Sequence, residues 1–408
     1  MASAPRSLRQ VAVPLGAMRG AGQALEFVGF VLLARRLGPT QFGELSVAYL
    51  ICRYAGLVAD WGASLQGTRD VARGRPAGAI HALVRHRTLV TIGLIVVYVP
   101  LVCLAGFPGL APLAVVIAGR GLNRDWLSLG RERGFRSGIP PFLQGAIIAV
   151  TVPFVHGLPG ASLVIAGAWG IATIVSIMLN RLPIHDGIID AKDRKVDPWF
   201  LILLIADQIY ASIDVVLLAV LASASDAGIY SAVYRFPNAW ITVMGLVIVG
   251  LLPGITRSLA AEPHKLDFYR RRALSTGMRL ALLLICLIPV GWWLVPIVFG
   301  PSYTAGRAPL VLLLLATAAN TATVGLQPIT FAVGNERRLA RWASFTALVN
   351  IAANLIMIPI FGLVGAASVT LISQLMVSGY YFTTTRRLAL ASSNSANSDP
   401  TEGQELTD

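Results

Sequence analysis

The chain has 408 residues, of which 55% are hydrophobic and only 13% are charged. A soluble globular protein carries about 25% charged residues, so the composition excludes an ordinary soluble domain and predicts a chain embedded in lipid. The formal net charge is +13, from 33 Lys and Arg against 20 Asp and Glu.

The apolar residues group into about twelve stretches, each long enough to cross a bilayer, since about 20 apolar residues are needed. A Pro or Gly marks many of the breaks, as at Pro39, Pro108 and Gly362. Because unpaired backbone groups are not tolerated in the hydrocarbon region, the stretches are predicted to be helices. The predicted spans are 10–34, 42–65, 86–106, 109–129, 139–157, 160–180, 199–222, 228–252, 275–299, 308–333, 342–361 and 363–385.

Basic residues are distributed unevenly between alternate loops. Loops on one side of the predicted membrane hold most of the Lys and Arg, whereas those on the other side hold only Arg35, Arg36 and Arg307. Cytoplasmic loops carry an excess of Lys and Arg, so both termini are predicted to be cytoplasmic. The same asymmetry explains the net charge as a topology signal that faces anionic membrane lipid, and no nucleic acid partner is expected.

A short internal repeat predicts two lobes. Leu-Leu-Ala followed by Gly, Ser and Tyr occurs twice, and an even number of spans separates the copies, so both point the same way. This is the pattern of parallel repeats with substrate between them; chance similarity between apolar segments is the alternative. The copies are 32–34 with Gly43, Ser46 and Tyr49, and 217–219 with Gly228, Ser231 and Tyr234. The predicted organisation is a cytoplasmic N-terminus (1–9), an N-lobe (10–180), a cytoplasmic linker (181–198), a C-lobe (199–387) and a disordered cytoplasmic tail (388–408).

Arg19, Arg53 and Arg235 interrupt the apolar runs of the first, second and eighth predicted spans. A guanidinium keeps its charge, and at the bilayer centre it costs at least about 2.5–3.5 kcal/mol. The three arginines therefore predict a water-filled cavity that suits an anion. The alternatives are buried ion pairs for the first two, and snorkelling to the outer interface for the third.

Further polar residues share helix faces with these arginines. Gln23 and Glu26 follow Arg19 on one face of the first helix, and Asp60 follows Arg53 on one face of the second. Polar stripes in lipid-embedded helices are expected to face a cavity or a partner helix. The predicted substrate-binding set is Arg19, Gln23, Glu26, Arg53, Asp60 and Arg235.

Three segments carry motifs known from one family. They are LLARRLGPTQFGELSVAY at 32–49, NRDWLSLGRE at 123–132 and SIDVVLLAVLASASDAGIYSAVY at 212–234. They resemble the polysaccharide-repeat-unit flippases of the multidrug/oligosaccharidyl-lipid/polysaccharide (MOP) exporter superfamily. The resemblance implies an all-α polytopic membrane protein with two six-helix lobes around a central cavity. It also implies an alternating-access flippase that moves a polyprenyl-diphosphate-linked oligosaccharide from the inner to the outer leaflet of the bacterial cytoplasmic membrane.

The resemblance also implies residue roles. The lipid II flippase of the same superfamily holds a substrate diphosphate with arginines on its first, second and eighth helices, which are the helices that carry Arg19, Arg53 and Arg235 here. Its sodium site uses the seventh, eleventh and twelfth helices. The matching residues in this chain are Asp214, Asn350, Asn354 and Thr370.

The sodium assignment has alternatives. Asn354 stands where that site has a carboxylate, which lowers the negative charge available for Na⁺ and leaves H⁺ or the membrane potential as other driving forces. Asp214 is also a candidate ion-pair partner of Arg235, and Asn350 and Asn354 are candidates for joining helices.

Enzyme motifs are missing from the sequence, which has no phosphate-binding glycine loop, zinc spacing or nucleophile elbow. We therefore expect a monomeric transporter with no cofactor apart from a coupling Na⁺ or H⁺. A glycan polymerase or glycosyltransferases are the expected protein partners. One alternative is a drug or cation exporter of the same superfamily, which needs a net acidic cavity. Another is a non-transporting membrane scaffold of a glycan-assembly complex, which should tolerate replacement of Arg19.

Overall fold

The computed structural model describes residues 8–72, 77–182, 208, 212–242, 244–245, 266–332 and 336–397. All regular structure in these ranges is helical. The α-helices are α1 (Leu8–Asp60), α2 (Ala63–Ala72), α3 (Ala77–Leu104), α4 (Ala114–Leu122), α5 (Asp125–Gly130), α6 (Gly134–Thr151), α7 (Gly157–Leu179), α8 (Ser212–Leu221), α9 (Ala224–Val233), α10 (Leu266–Cys286), α11 (Ile288–Phe299), α12 (Arg307–Thr323), α13 (Gln327–Ala332) and α14 (Glu336–Asn397).

The first helix, α1, is a hairpin of two spans. At Gly38 the backbone has φ 70° and ψ 174°, a conformation that glycine adopts readily, and the chain reverses there. The rings of Phe30 and Tyr49 have centroids 5.5 Å apart, whereas a straight helix would separate these residues by roughly 28 Å. The predicted break between the first two spans, beside Pro39, is confirmed.

The last helix, α14, reverses in the same way. Gly362 has φ 54° and ψ −130°, and the rings of Trp342 and Tyr380 stack with centroids 5.3 Å apart. The eleventh and twelfth predicted spans are therefore the two arms of this hairpin. The helix continues to Asn397, so residues 388–397 are helical where the sequence predicted a disordered tail. Residues 398–408, and most of the predicted linker, lie outside the described ranges.

The described helices form a multi-pass membrane protein. Six helices are long and apolar enough to cross a membrane, or seven when the pair α10 and α11, bent by 50°, counts as one span. Two of the six, Val13–Asp60 and Arg338–Leu390, contain the two hairpins. The all-α polytopic fold predicted from the sequence is confirmed.

Helix packing arranges the spans around the α1 hairpin. This hairpin packs on α4, α6 and α7 on one side and on α9 on the other, while α12 packs on α10 and α14. The two copies of the sequence repeat meet at their glycines, because a Cβ at Gly43 would lie 1.7 Å from the carbonyl oxygen of Ala224 and one at Gly228 would lie 1.9 Å from that of Pro39. At this end of the molecule the two lobes are in backbone contact.

Candidate substrate cavity

A central cavity of about 290 Å³ lies between the lobes. The α1 hairpin forms one wall, and the other is formed by residues 231–242 together with Gln208, Ser212 and Val215. Arg53 lines it from the hairpin and Arg235, directly after α9, lines it from the opposite wall. The polar lining also includes Gln23, Glu26, Tyr49, Gln208, Asn238 and Thr242. The structure thus brings together four of the predicted residues, namely Gln23, Glu26, Arg53 and Arg235.

The charge of this cavity is positive. The guanidinium carbon of Arg235 lies 3.6 Å from the ring centroid of Phe30, and its buried Nε has no hydrogen-bond partner in the described part of the chain. The Tyr49 hydroxyl donates to Oε1 of Glu26 at 3.3 Å. Neither Arg53 nor Arg235 forms an ion pair with another described residue. Two permanent cations therefore face a single carboxylate, an arrangement that suits an anion.

The structure does not bring Arg19 together with the other two arginines. Its Nη2 lies 3.4 Å from Oδ2 of Asp125 and donates to Oγ of Ser137 at 3.5 Å. Both Arg19 and Asp125 line a second cavity of about 500 Å³, enclosed by helices of the N-lobe. We call this the N-lobe cavity. Arg19 thus lines a different cavity from Arg53 and Arg235, because α1 turns this residue toward α5 and α6.

Asp60 also lines the N-lobe cavity and not the central one. Its Oδ1 lies 2.8 Å from Nη2 of Arg87 and accepts a hydrogen bond from Oγ of Ser64 at 2.5 Å. The side chain of Arg87 is only 2% exposed and also donates to the carbonyl oxygen of Arg120 at 2.8 Å. Asp60 neutralises this buried cation and lies outside the lining of the central cavity.

A third polar cluster lies inside the C-lobe. The buried carboxylate of Asp214 accepts hydrogen bonds from the Tyr230 hydroxyl, from Oγ1 of Thr370 at 3.0 Å and from the backbone amide of Val215 at 3.0 Å. None of the ion pairs in the described ranges joins Asp214 to Arg235. Sequence reasoning found the aspartate and the threonine but missed Tyr230, which looks like an ordinary apolar-face tyrosine in the sequence.

The two predicted asparagines form a neighbouring pair. Nδ2 of Asn354 donates to Oδ1 of Asn350 at 3.1 Å, and Nδ2 of Asn350 donates to Oγ of Ser373 at 3.0 Å. The buried Oδ1 of Asn354 has no hydrogen-bond partner among the described residues. In the same ranges, no three or more His, Cys, Asp or Glu side chains lie together in a group that could hold a metal ion. An ion bound here would use amide and hydroxyl oxygens beside one carboxylate.

Comparisons with known proteins identify a matching family model and related folds. Residues 8–119 match the sequence model of a family described as polysaccharide biosynthesis protein. A comparison with curated proteins finds no match. Among solved structures, the lipid II flippase MurJ in an inward closed conformation has a TM-score of 0.71 at 11% identity, covering 94% of this chain and 91% of that one.

Two further structures decide the fold. An inward-facing multidrug resistance MATE family transporter of the MOP superfamily has a TM-score of 0.62 at 13% identity, covering 94% of this chain and 99% of that one. A MOP superfamily transporter from Pyrococcus furiosus, described as having a binding pocket of reverse polarity, has a TM-score of 0.64 at 12% identity, covering 96% and 100%. This chain has the MOP superfamily fold. In this MOP-fold protein the central cavity is the space between the two lobes.

Proposed function

We propose that this protein is an alternating-access flippase that moves a polyprenyl-diphosphate-linked oligosaccharide from the inner to the outer leaflet of the bacterial cytoplasmic membrane. The observation that carries the proposal is the pair Arg53 and Arg235, one on each wall of the central cavity and neither ion-paired within the described residues. A guanidinium presents two parallel N–H donors to phosphate oxygens. The family match over residues 8–119 supports a substrate from polysaccharide biosynthesis.

The position of the two arginines suggests how binding drives the cycle. A diphosphate between Arg53 and Arg235 contacts both lobes at once and removes the repulsion between two cations. A ligand shifts a conformational equilibrium only by its difference in affinity for the two states, and a bridging anion favours the state in which the lobes approach. The sugars occupy the polar lining around Gln23, Asn238 and Thr242, while the polyprenyl tail stays in the lipid.

The driving force is part of the proposal. Asp214, Asn350, Asn354 and Thr370 offer oxygen ligands from three spans, the type that hard cations prefer, and the unpartnered oxygen of Asn354 leaves one acceptor free. We propose a Na⁺ site here, with H⁺ on Asp214 or the membrane potential as alternatives. The protein acts as a monomer with both termini in the cytoplasm and without enzymatic activity.

Complementation of a flippase-null strain tests the proposal. We expect Arg53→Ala and Arg235→Ala each to abolish surface glycan while the protein still inserts, and Arg53→Lys to restore part of it, since lysine lacks the bidentate fork. Arg131→Ala is the matched control, because Arg131 is exposed at the start of a loop. Normal surface glycan in the Arg53→Ala/Arg235→Ala double variant contradicts the proposal.

The same variants separate the alternatives. A drug or cation exporter needs a net acidic cavity, and Glu26 alone against Arg53 and Arg235 does not supply one. Efflux of a cationic dye that survives Arg53→Ala would favour the exporter. A scaffold should keep glycan assembly in every cavity variant. Arg53 replaces Arg19 as the diagnostic position for this test, since Arg19 is paired with Asp125.

A further inference from the structure

The arginines around the two cavities fall into two groups. Arg19 and Arg87 have carboxylate partners, Asp125 and Asp60, at 3.4 and 2.8 Å. Arg53, Arg235 and Arg120 have none among the described residues. Arg120 lies in the last turn of α4, on the wall of the N-lobe cavity.

The aliphatic part of the Arg120 side chain, here called its stem, packs across the second arm of the α1 hairpin at Gly56. A Cβ at Gly56 would lie 2.7 Å from Cβ, 3.1 Å from Cγ and 3.2 Å from Cδ of Arg120. The missing side chain at Gly56 therefore creates the space in which the arginine stem lies. Gly56 is three residues from Arg53, and residues at this spacing are neighbours on a helix surface. Arg53 and Arg120 therefore approach the same segment of α1, and each lines one of the two cavities.

The electrostatics of this neighbourhood favour an anion between the two arginines. Arg53, Tyr49 and Glu26, which line the central cavity, are within electrostatic range of Arg120. Asp60 is also within its electrostatic range, but that carboxylate already pairs with Arg87. Two like charges at short range repel strongly where water is scarce. A bound anion converts this repulsion into attraction on both sides.

We propose that Arg120 is a substrate-binding residue that, together with Arg53, binds the phosphate-type group of the substrate at the wall between the two cavities. The inference rests on the proposed function and deepens it. The proposed anion site adds Arg120 to Arg53 and Arg235. Even with the carboxylate of Glu26 nearby, the three arginines leave an excess of two positive charges, which matches the charge of a diphosphate diester better than that of a monophosphate diester, so the site selects diphosphate-linked lipids.

Binding measurements on the purified full-length protein test the inference. The probes are geranylgeranyl diphosphate, its monophosphate and the uncharged alcohol, none of which carries a sugar. We expect Arg120→Gln to weaken diphosphate binding by about ten-fold or more, as for loss of a charge-assisted hydrogen bond. Binding of the alcohol should not change, and the preference for diphosphate over alcohol should shrink. Arg120→Lys should lose less, and the control Arg131→Gln should bind like the wild type.

A second variant tests the inference if Arg120→Gln does not fold. Gly56→Ala keeps every charge and improves helix propensity, but its methyl group must displace the stem of Arg120, so we expect weaker diphosphate binding again. Wild-type affinity in Arg120→Gln, or in Gly56→Ala if the former does not fold, overturns the inference. If Arg53→Gln and Arg235→Gln nevertheless weaken diphosphate binding, the proposed function stands although the inference about Arg120 is overturned. Unchanged affinity in all three glutamine variants removes the proposed function as well.

Discussion

At the scale of residues, the arginines inside the helix bundle have two different environments. Arg87 is buried against Asp60, with 2% of its side chain exposed, whereas Arg53 and Arg235 line the central cavity without a carboxylate partner among the described residues. A buried ion pair gains little over an apolar pair of the same size, because both ions lose their hydration. Removing only one partner is different, since an uncompensated charge then stays inside the protein.

This difference gives a stability prediction for the pair of Arg87 and Asp60. We expect Arg87→Met to lower the free energy of unfolding by about 3–5 kcal/mol. The double variant Arg87→Met/Asp60→Leu should recover most of that loss, because neither charge remains. Arg271→Met is the control: Arg271 is 76% exposed in its pair with Asp267, and exposed pairs contribute about 0.2–1 kcal/mol. Thermal unfolding in detergent measures all three. A double variant less stable than Arg87→Met alone would contradict the argument.

At the scale of elements, the sequence predicted where helices break better than which way they face. Gly38 and Gly362 interrupt apolar runs, and a glycine or proline is a local signal that needs no knowledge of the rest of the fold. The face that a helix turns inward depends on its neighbours. Arg19 and Arg53 both lie on predicted cavity faces, yet only the packing of α5 and α6 sends Arg19 to Asp125. Likewise, nothing local in the sequence reveals that Gly56 makes room for Arg120.

The close contact between the α1 hairpin and α9 yields a prediction about the conformational cycle. A Cβ at Gly43 would lie 1.7 Å from the carbonyl oxygen of Ala224, so Gly43→Ala should hold the α1 hairpin and α9 apart at the end that carries Gly38. Small residues permit such close approach of helices. Under the proposed orientation this end faces the cell exterior. We expect transport to fall and the central cavity to become accessible from outside.

A cysteine reporter measures this opening. In a variant lacking Cys52, Cys103 and Cys286, Ser231→Cys places a thiol in the central cavity. An impermeant thiol reagent added to intact cells should label it more with Gly43→Ala than without. Gly93→Ala is the matched control, because a Cβ there meets nothing within 4 Å. Equal labelling in the Gly43 and Gly93 backgrounds would show that the glycine contact does not govern closure.

At the scale of the whole molecule, substrate and driving ion are proposed to act on different faces of one helix. Ser212 and Val215 of α8 line the central cavity, while Asp214 on the same helix bonds to Tyr230 and Thr370 inside the C-lobe. An ion that binds at Asp214 can therefore shift α8, and with it the cavity wall, without contacting the diphosphate. Such coupling needs two arrangements of the connecting element that both sites bias, and α8 is the element placed to supply them.

Asp214→Asn tests this arrangement with little change in shape. We expect the variant to bind geranylgeranyl diphosphate like the wild type, because the arginines are untouched, but to transport slowly. In proteoliposomes a sodium gradient should accelerate the wild type and leave the variant unaffected, since the amide removes the one formal negative charge among the proposed ligands. Asp267→Asn, a change of a partly exposed carboxylate on α10, should keep the wild-type response. Weakened diphosphate binding in Asp214→Asn would instead tie this aspartate to Arg235. A wild type indifferent to sodium would leave protons or the membrane potential as the driving force.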